Sequence, residues 1–164
     1  MPGEILIRQL TPNDFTDADR IFRLAFGTFI GLPDPMQFAP GSGVVSTRWK
    51  ADPEGTICAE MDGEVVGSNF VTRWGSFGFF GPLSVRPDLW EKKIAQRMLD
   101  TTMALFEKWN CRHTGLYTVS NSAKHIALYM KYGFWPRFLT SVMAKAPAPG
   151  LRSDAARFSA LPEA

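Results

Sequence analysis

Residues 83–99 combine a strand end, a cationic turn and the start of a helix. The strand is expected to stop at Pro87, because proline has no N–H to give to a neighbouring strand. From Ile94 onward, apolar residues recur at helical spacing. The first N–H groups of a helix are unpaired and point at one spot, where the helix dipole favours an anion such as phosphate. With Lys92 and Lys93 adding positive charge, this turn is predicted to hold the phosphates of a nucleotide-like cofactor.

A second pair of residues suited to chemistry is His125 and Tyr129, which lie four residues apart and share one face of a predicted helix. Imidazole changes charge near neutral pH, so His125 could carry a proton or tune Tyr129. The alternatives are a structural or capping histidine and a half-buried tyrosine whose hydroxyl remains hydrated. The histidines and cysteines form no group with metal-ligand spacing, so no metal site is predicted.

The elements that position these residues alternate between strands and helices. A strand at residues 5–9 leads into a helix whose buried stripe ends at Phe29, and a Gly- and Pro-rich stretch follows to residue 43. After a short helix, Asp62 and Gly63 mark the turn of a hairpin. The remaining elements are a strand over residues 77–85, the long helix from residue 94, a strand over 113–119, a helix over 122–132 and one or two last strands within 134–144.

This order predicts an α/β (α+β) fold with a mixed, mostly antiparallel central sheet of six to seven strands and helices on both faces. The helix from residue 94 is a right-handed crossover, so the strands that it joins should be parallel neighbours. Gly81 and Pro82 interrupt the first of these strands, as is typical of a bulge or an edge. If that bulge splays the sheet at its centre, an extended ligand with amide groups could lie in the gap as a further strand.

The composition indicates one intracellular domain. The chain has 164 residues, of which 45% are hydrophobic, and this is enough for a single core. A net charge of +2 gives no basis for nucleic-acid binding, and no apolar run has membrane-spanning length. Two cysteines and an N-terminus without a secretory pattern indicate a reduced, cytoplasmic setting. We expect a single domain over residues 1–146 and an Ala- and Pro-rich tail over residues 147–164.

Two motifs, in this order, resemble the GNAT superfamily of acyl-CoA-dependent N-acyltransferases. The first is Leu83-Ser84-Val85-Arg86-Pro87-Asp88, followed by the turn and the helix that starts Ile94-Ala95-Gln96. The second is Leu128-Tyr129, followed after three residues by Gly133-Phe134. The family patterns are Val-x-Pro before the turn and Ala-x-x-Leu-Tyr-x-x-x-Gly-Phe in the later helix. The resemblance covers roughly residues 5–144 and implies the splayed fold described above.

The resemblance implies that the cofactor is acetyl-CoA or another acyl-CoA. The pantetheine arm would pair with the strand backbone at residues 83 and 85, and the pyrophosphate would lie on the backbone amides of the turn. The implied cofactor-binding residues are Leu83, Ser84, Val85, Trp90, Glu91, Lys92, Lys93, Ile94, Ala95, Gln96, Asn121 and Tyr129.

The resemblance also implies catalytic roles. By match to the family tyrosine, Tyr129 would be the general acid that protonates the leaving thiolate, and the N–H of Val85 would be the oxyanion donor. Glu60 and Glu64 are candidate bases because family bases often lie on those strands, with a solvent-facing carboxylate as the alternative in each case. His125 is a further catalytic candidate on the face of Tyr129.

The turn departs from the family pattern at two positions. Trp90 stands where the family has Arg or Gln, and Lys93 stands where it has a glycine. A lysine can still offer its N–H to phosphate if its backbone dihedrals are ordinary, and its ammonium can bind phosphate directly. In the second motif, His125 replaces a small alanine, and Asn121 lies one residue further from Tyr129 than the family's asparagine.

The resemblance therefore predicts an N-acetyltransferase that moves an acetyl group from acetyl-CoA to a primary amine of a small molecule or a peptide by direct attack. The altered turn motivates one alternative, a CoA- or small-ligand-binding protein on the same fold without catalysis. The tail motivates another alternative, an interaction module. A homodimer is implied because family members often dimerise, and neither a nucleic acid nor a membrane is expected as a partner.

Overall fold

Five strands form one sheet, within a computed structural model that describes residues 4–140 and residue 143. In chain order, which is also their order across the sheet, they are β1 (Ile5–Gln9), β2 (Thr56–Met61), β3 (Glu64–Trp74), β4 (Phe77–Val85) and β5 (His113–Gly115). The first four strands are antiparallel neighbours, and β5 runs parallel to β4. The predicted mixed, mostly antiparallel sheet is therefore confirmed.

Helices cover both faces of this sheet, as predicted. The α-helices of the described residues are α1 (Phe15–Phe29), α2 (Val44–Ala51), α3 (Ile94–Lys108) and α4 (Ala123–Met130). Cys58 of β2 packs in one cluster with Ile21 of α1, whereas its neighbours Ile57 and Ala59 pack in another with Met98 of α3. Because successive side chains of a strand point to opposite faces, α1 and α3 lie on opposite sides of the sheet.

Helix α4 contacts both of the long helices. The hydroxyl of Tyr132, just after α4, donates a hydrogen bond to the Gln96 carbonyl of α3 at 2.9 Å and lies 2.8 Å from an oxygen of the Asp100 carboxylate. At the other end of α4, the rings of His125 and Phe29 lie 4.9 Å apart. Helix α4 therefore spans the distance between α3 and the end of α1.

The β4 strand contains the bulge that Gly81 and Pro82 predict. Asn69 of β3 is paired with Leu83, but Val71 is paired with Phe80, so β4 carries one more residue than β3 across this stretch. Proline has no N–H to donate to a neighbouring strand. The extra residue of the bulge lets β4 continue past the proline without a missing hydrogen bond in the ladder.

The two parallel strands separate after a short contact. The residues of β4 that pair with β5 are Phe77, Gly78 and Phe79, and the rest of β4 has no strand partner on that side among the described residues. The strand predicted over residues 113–119 ends at Gly115, because beyond that residue the chain no longer follows β4. The predicted splay is therefore present, although among the described strands it lies between the fourth and the fifth and not at the centre of the sheet.

The predicted count of six to seven strands is wrong for the described residues, which form five. Residues 134–140, where the sequence predicts that a last strand begins, form none. From Trp135 onward the large side chains lie in solvent, with Trp135, Phe138 and Leu139 exposed by 63%, 80% and 85%, and no strand of the described structure pairs with this segment. The rest of that predicted strand region, residues 141, 142 and 144, lies outside the described residues.

The tail predicted over residues 147–164 also lies outside the described residues. Among the helices that are described, none combines the length and the apolarity needed to cross a membrane.

Candidate functional site

A cavity of about 860 Å³ opens where β4 and β5 diverge. Its walls are the second half of β4, the end of α1, the turn before α3, the segment after β5 and one face of α4. This volume lies within the range of about 300–1,000 Å³ that is usual for small-molecule and cofactor sites.

The β4 edge presents unpaired backbone groups to this cavity. The N–H of Arg86 donates to the Val66 carbonyl of β3 at 2.8 Å. Because the bonding direction alternates along an antiparallel ladder, the backbone groups of Ser84 also face β3, whereas those of Leu83 and Val85 face away from it. The indole N–H of Trp90 donates to the Val85 carbonyl at 2.8 Å, which fits this direction. Within the described residues no backbone group pairs with the N–H groups of Leu83 and Val85 or with the Leu83 carbonyl, so these groups are left for an extended ligand.

The start of α3 supplies a second set of donors. The first hydrogen bond within this helix runs from the Arg97 N–H to the Lys93 carbonyl at 3.2 Å. The N–H groups of Ile94, Ala95 and Gln96 precede it, and all three residues line the cavity. This end of the helix therefore has the donors and the dipole direction that favour a phosphate.

The backbone of the turn is left-handed at two residues. Glu91 has a φ of 69° and Lys93 a φ of 63°. Lys93 therefore lacks the ordinary backbone dihedrals under which its N–H is expected to bind phosphate. It adopts instead the positive-φ conformation for which the family uses glycine. The chain enters α3 in this way even though a lysine occupies the position.

Most of the residues expected at the cofactor site line this one cavity. They are Leu83, Ser84, Val85, Trp90, Glu91, Lys93, Ile94, Ala95, Gln96 and Tyr129, together with His125. Lys92 and Asn121 are exposed and lie outside the lining. Ser122 lines the cavity in place of Asn121, and its hydroxyl accepts from the His125 N–H at 3.4 Å, at the start of α4.

Glu60 belongs to a separate ion cluster. Its carboxylate accepts a hydrogen bond from Arg8 at 2.6 Å, and Arg8 also donates to both carboxylate oxygens of Asp14, at 2.8 and 2.9 Å. The Arg8 guanidinium holds the pKa of Asp14 well below its usual range. Neither Glu60 nor Glu64 lines the cavity. The structure therefore places both candidate bases apart from the residues that converge there.

Tyr129 reaches the cavity from α4. Its ring packs edge-on against Phe80, with 5.7 Å between the ring centroids. Burial raises the pKa of Tyr129 to about 12, so the hydroxyl stays protonated at neutral pH. The arrangement provides a hydrogen-bond donor in the cavity wall.

His125 lies one turn before Tyr129 and also lines the cavity. Burial, and to a smaller extent the charge of Lys124, lowers the pKa of His125. This lowering of the pKa favours the neutral imidazole, which is able to accept a proton. Its contact with Phe29 also joins α4 to α1.

Two walls of the cavity carry no specific signal in the sequence. One is the end of α1, where Phe26, Phe29 and Ile30 line it, and the other is residues 116–119 after β5. Phe26 and Phe29 lie on an amphipathic helix, so their pattern indicates only burial. Residues 116–119 have a strand-like pattern, and the sequence carries no signal that they leave β4.

Comparison with known proteins identifies the family. A family model described as "Acetyltransferase (GNAT) family" matches residues 19–134, which is more than half of the 164 residues. The chain belongs to this family. Among curated proteins, none matches it significantly.

Solved acetyltransferase structures share the fold of this GNAT chain. A possible acetyltransferase from Clostridium difficile 630 has a TM-score of 0.70 at 14% identity, over 88% of this chain and 99% of that one. A GNAT family acetyltransferase from Brucella melitensis in complex with acetyl-CoA has a TM-score of 0.62 at 20% identity, over 82% and 84%. PaiA N-acetyltransferase from Thermoplasma acidophilum in complex with coenzyme A has a TM-score of 0.66 at 16% identity, over 79% and 88%. The predicted cofactor, an acyl-CoA, is the cofactor of this family.

The left-handed lysine of this GNAT chain leads to a stability prediction. Lys93→Gly should raise the free energy of unfolding by about 1 kcal/mol, because glycine adopts a positive φ without the steric cost that a Cβ brings. Urea denaturation measures this change. The matched control is Lys92→Gly at the exposed neighbour, which has no positive φ and should gain nothing. A Lys93→Gly variant no more stable than the wild type would contradict the account.

An ion pair at the cavity leads to a binding prediction. The Lys124 ammonium of α4 lies 2.7 Å from the Glu91 carboxylate of the turn, and both residues are exposed and line the cavity. Glu91→Gln should strengthen CoA binding about two- to fivefold at low salt, because it removes an anion and frees a cation beside the phosphate donors. Calorimetric titration measures the affinity. Glu64→Gln is the control, since Glu64 is an exposed carboxylate that is also ion-paired but does not line the cavity. Equal effects of the two substitutions on CoA affinity would argue against a specific role of Glu91.

Proposed function

We propose that this protein is an N-acetyltransferase that moves an acetyl group from acetyl-CoA to a primary amine of a small molecule or a peptide. One observation carries the proposal. The unpaired edge of β4, the first N–H groups of α3 and the hydroxyl-bearing ring of Tyr129 all meet in one cavity. A thioester cofactor with amides in its arm and a pyrophosphate at its end needs these three features together.

The residues of the cavity fit this cofactor. Leu83 and Val85 offer backbone groups to the amides of a pantetheine arm, in the manner of an added strand. The N–H groups of residues 94–96 offer donors to a pyrophosphate, and Lys93 and Lys124 offer positive charge beside them. The bound acetyl-CoA and coenzyme A of the Brucella and Thermoplasma neighbours support this assignment.

Three groups of the chain would act in the reaction. Acetyl-CoA supplies the thioester carbonyl that a neutral amine attacks. The Val85 N–H faces the cavity and would donate a hydrogen bond to the carbonyl oxygen as negative charge develops. The Tyr129 hydroxyl would donate to the departing sulfur, and its raised pKa of about 12 keeps the proton in place for this task. The neutral His125 would accept a proton from the attacking amine.

Two measurements test this function. Calorimetric titration with CoA should show saturable binding, and a thiol-release assay with acetyl-CoA should show turnover with at least some members of a panel of primary amines. Binding without turnover on any amine would favour the alternative of a CoA-binding protein without catalysis. Absence of CoA binding at high concentration would rule out both.

We also propose that the protein is a cytoplasmic homodimer, as the resemblance and the cysteine content imply. Light scattering after gel filtration should then give twice the 18.3 kDa mass of one chain.

A further inference from the structure

A second cavity, of about 380 Å³, lies beside the first. It is formed by α1, α2 and the segment between them, and it shares Phe26 and Pro82 with the first cavity. Pro82 belongs to the β4 bulge and directly precedes Leu83, where the edge of β4 begins to accept a ligand. The two cavities therefore adjoin each other at Phe26 and Pro82.

Aromatic rings make up much of the second cavity's wall. Phe22 and Phe26 of α1 lie 5.1 Å apart, and Phe38 lies 5.4 Å from the first and 5.3 Å from the second, measured between ring centroids. All three residues line the cavity. Such a wall favours a flat aromatic or a branched apolar body, because aromatic pairs add to the free energy gained from buried area.

The segment that carries Phe38 is fixed to α1. The Arg23 side chain donates to the Phe38 carbonyl at 3.2 Å and also to the Met36 carbonyl. A Cβ on Gly27 would lie only 2.2 Å from the Pro35 carbonyl oxygen, so the backbones approach each other as closely as glycine permits. The aromatic wall is therefore formed in advance of any ligand.

One cation lies in the lining of the second cavity. Arg48 of α2 is half-buried there, and in the part of the chain that the structure describes its guanidinium makes no ion pair or hydrogen bond. The other lining residues are uncharged: Phe22, Phe26, Phe38, Ser42, Val44, Thr47 and Pro82. A guanidinium without a carboxylate partner, beside two hydroxyl groups, suits a carboxylate on the ligand.

We propose that the second cavity receives the acyl acceptor, and that this acceptor is a primary amine on an aromatic or branched apolar body whose carboxylate is bound by Arg48. The inference rests on the proposed function. The apolar body lies among the three phenylalanine rings, and the amine points past Phe26 and Pro82 towards the β4 edge. Ser42 and Thr47 supply hydroxyl groups at the rim.

Matched probes test the proposal. Acetyl transfer to para-(aminomethyl)benzoate is compared with transfer to para-(aminomethyl)benzamide, which has the same ring and amine but no carboxylate charge, and the meta isomers are run as a second pair. The carboxylates should have the higher kcat/KM by about tenfold or more, the size expected of a charge-assisted hydrogen bond. Direct binding of the same probes, measured by ligand-observed NMR, should show the same preference.

Variants assign that preference to its residue. Arg48→Met should bring the carboxylate-to-amide ratio close to one, and Arg48→Lys should keep part of it. Lys50→Met is the matched control, because Lys50 is an exposed cation of the same helix outside the lining and its loss should leave the ratio unchanged. Phe38→Ala should weaken binding of all the aromatic probes while keeping the ratio.

The outcomes separate this inference from the proposed function. If amines are acetylated with no carboxylate preference, or if Arg48→Met keeps the preference, the acceptor proposal is wrong and the acetyltransferase proposal stands. A preference for the neutral amides would indicate a peptide acceptor and would also overturn it. If no amine is acetylated, the NMR comparison still decides whether Arg48 binds the carboxylates.

Discussion

Tyr129→Phe is expected to lower kcat by about 10²-fold or more, the usual contribution of a positioned proton donor. The substitution removes the hydroxyl of a residue that lines the cavity and keeps the ring that packs against Phe80. The KM for acetyl-CoA should change little, because the phenol acts on the sulfur only as charge develops there. Steady-state thiol release measures both constants, and thermal unfolding shows whether the fold is kept.

The pH dependence gives this prediction a second readout. The rate should rise with pH as the acceptor amine and His125 lose their protons. Because the pKa of His125 is lowered, the part of this rise that comes from His125 should be complete at a lower pH than for an ordinary histidine. With the pKa of Tyr129 at about 12, no fall in rate is expected from the phenol at pH values below about 11. A descending limb near neutral pH would argue against a protonated Tyr129 as the donor.

Tyr132→Phe is the matched control for Tyr129→Phe. Its pKa is also raised to about 12, but its hydroxyl is bonded to Gln96 and Asp100 and the residue lies outside the cavity lining. Loss of these bonds should cost about 1 kcal/mol of stability and leave kcat within a few fold of the wild type. If both substitutions reduced kcat equally, the lower kcat of Tyr129→Phe would reflect a change in structure and not the loss of a proton donor to the leaving group.

Ala95→Glu is expected to weaken CoA binding by about 10²- to 10³-fold, since it places a carboxylate within a few ångströms of where the pyrophosphate would lie. Ala95 is the second residue of α3, it lines the cavity, and its N–H precedes the first hydrogen bond of the helix. Calorimetry with CoA measures this loss of affinity. High salt should reduce the loss only in part, because the charges in a partly enclosed site are incompletely screened.

Two control variants separate charge from size in this experiment. Ala95→Gln has nearly the same volume as Ala95→Glu without the charge and should lose much less affinity. Ala104→Glu makes the same chemical change at an exposed position of the same helix, away from the cavity, and should bind CoA as the wild type does. If Ala95→Glu bound CoA normally, the start of α3 would not be the phosphate site.

Local sequence patterns predict much of the fold because their causes are local. The turn between β2 and β3 follows from Asp62 and Gly63, which both adopt a positive φ. The long helix follows from its apolar spacing, and the β4 bulge follows from a Gly-Pro pair that cannot continue a ladder. Each of these signals is complete within a few residues.

The limits of β5 and the lack of a strand over residues 134–140 show where such patterns fail. A strand needs a partner as well as a pattern, and residues 116–119 lose theirs when the chain leaves β4. The backbone of Lys93 shows the opposite case, in which the geometry of the turn prevails over the preference of the residue. The second cavity depends on the contact of Gly27 with Pro35 and on the position of Arg48, which are properties of the packed chain.

The sequence by itself determined the family, the order of most elements and the turn at residues 83–99 as the candidate place for phosphates, because motif residues and helix ends act through short-range backbone geometry. Only the tertiary structure decided that the β4 edge is open, that Tyr129 and His125 line the cavity beside it while Glu60 does not, and that Glu91 meets Lys124 across it. These relations join residues far apart in the chain, and they arise only when the sheet splays and α4 packs between α1 and α3.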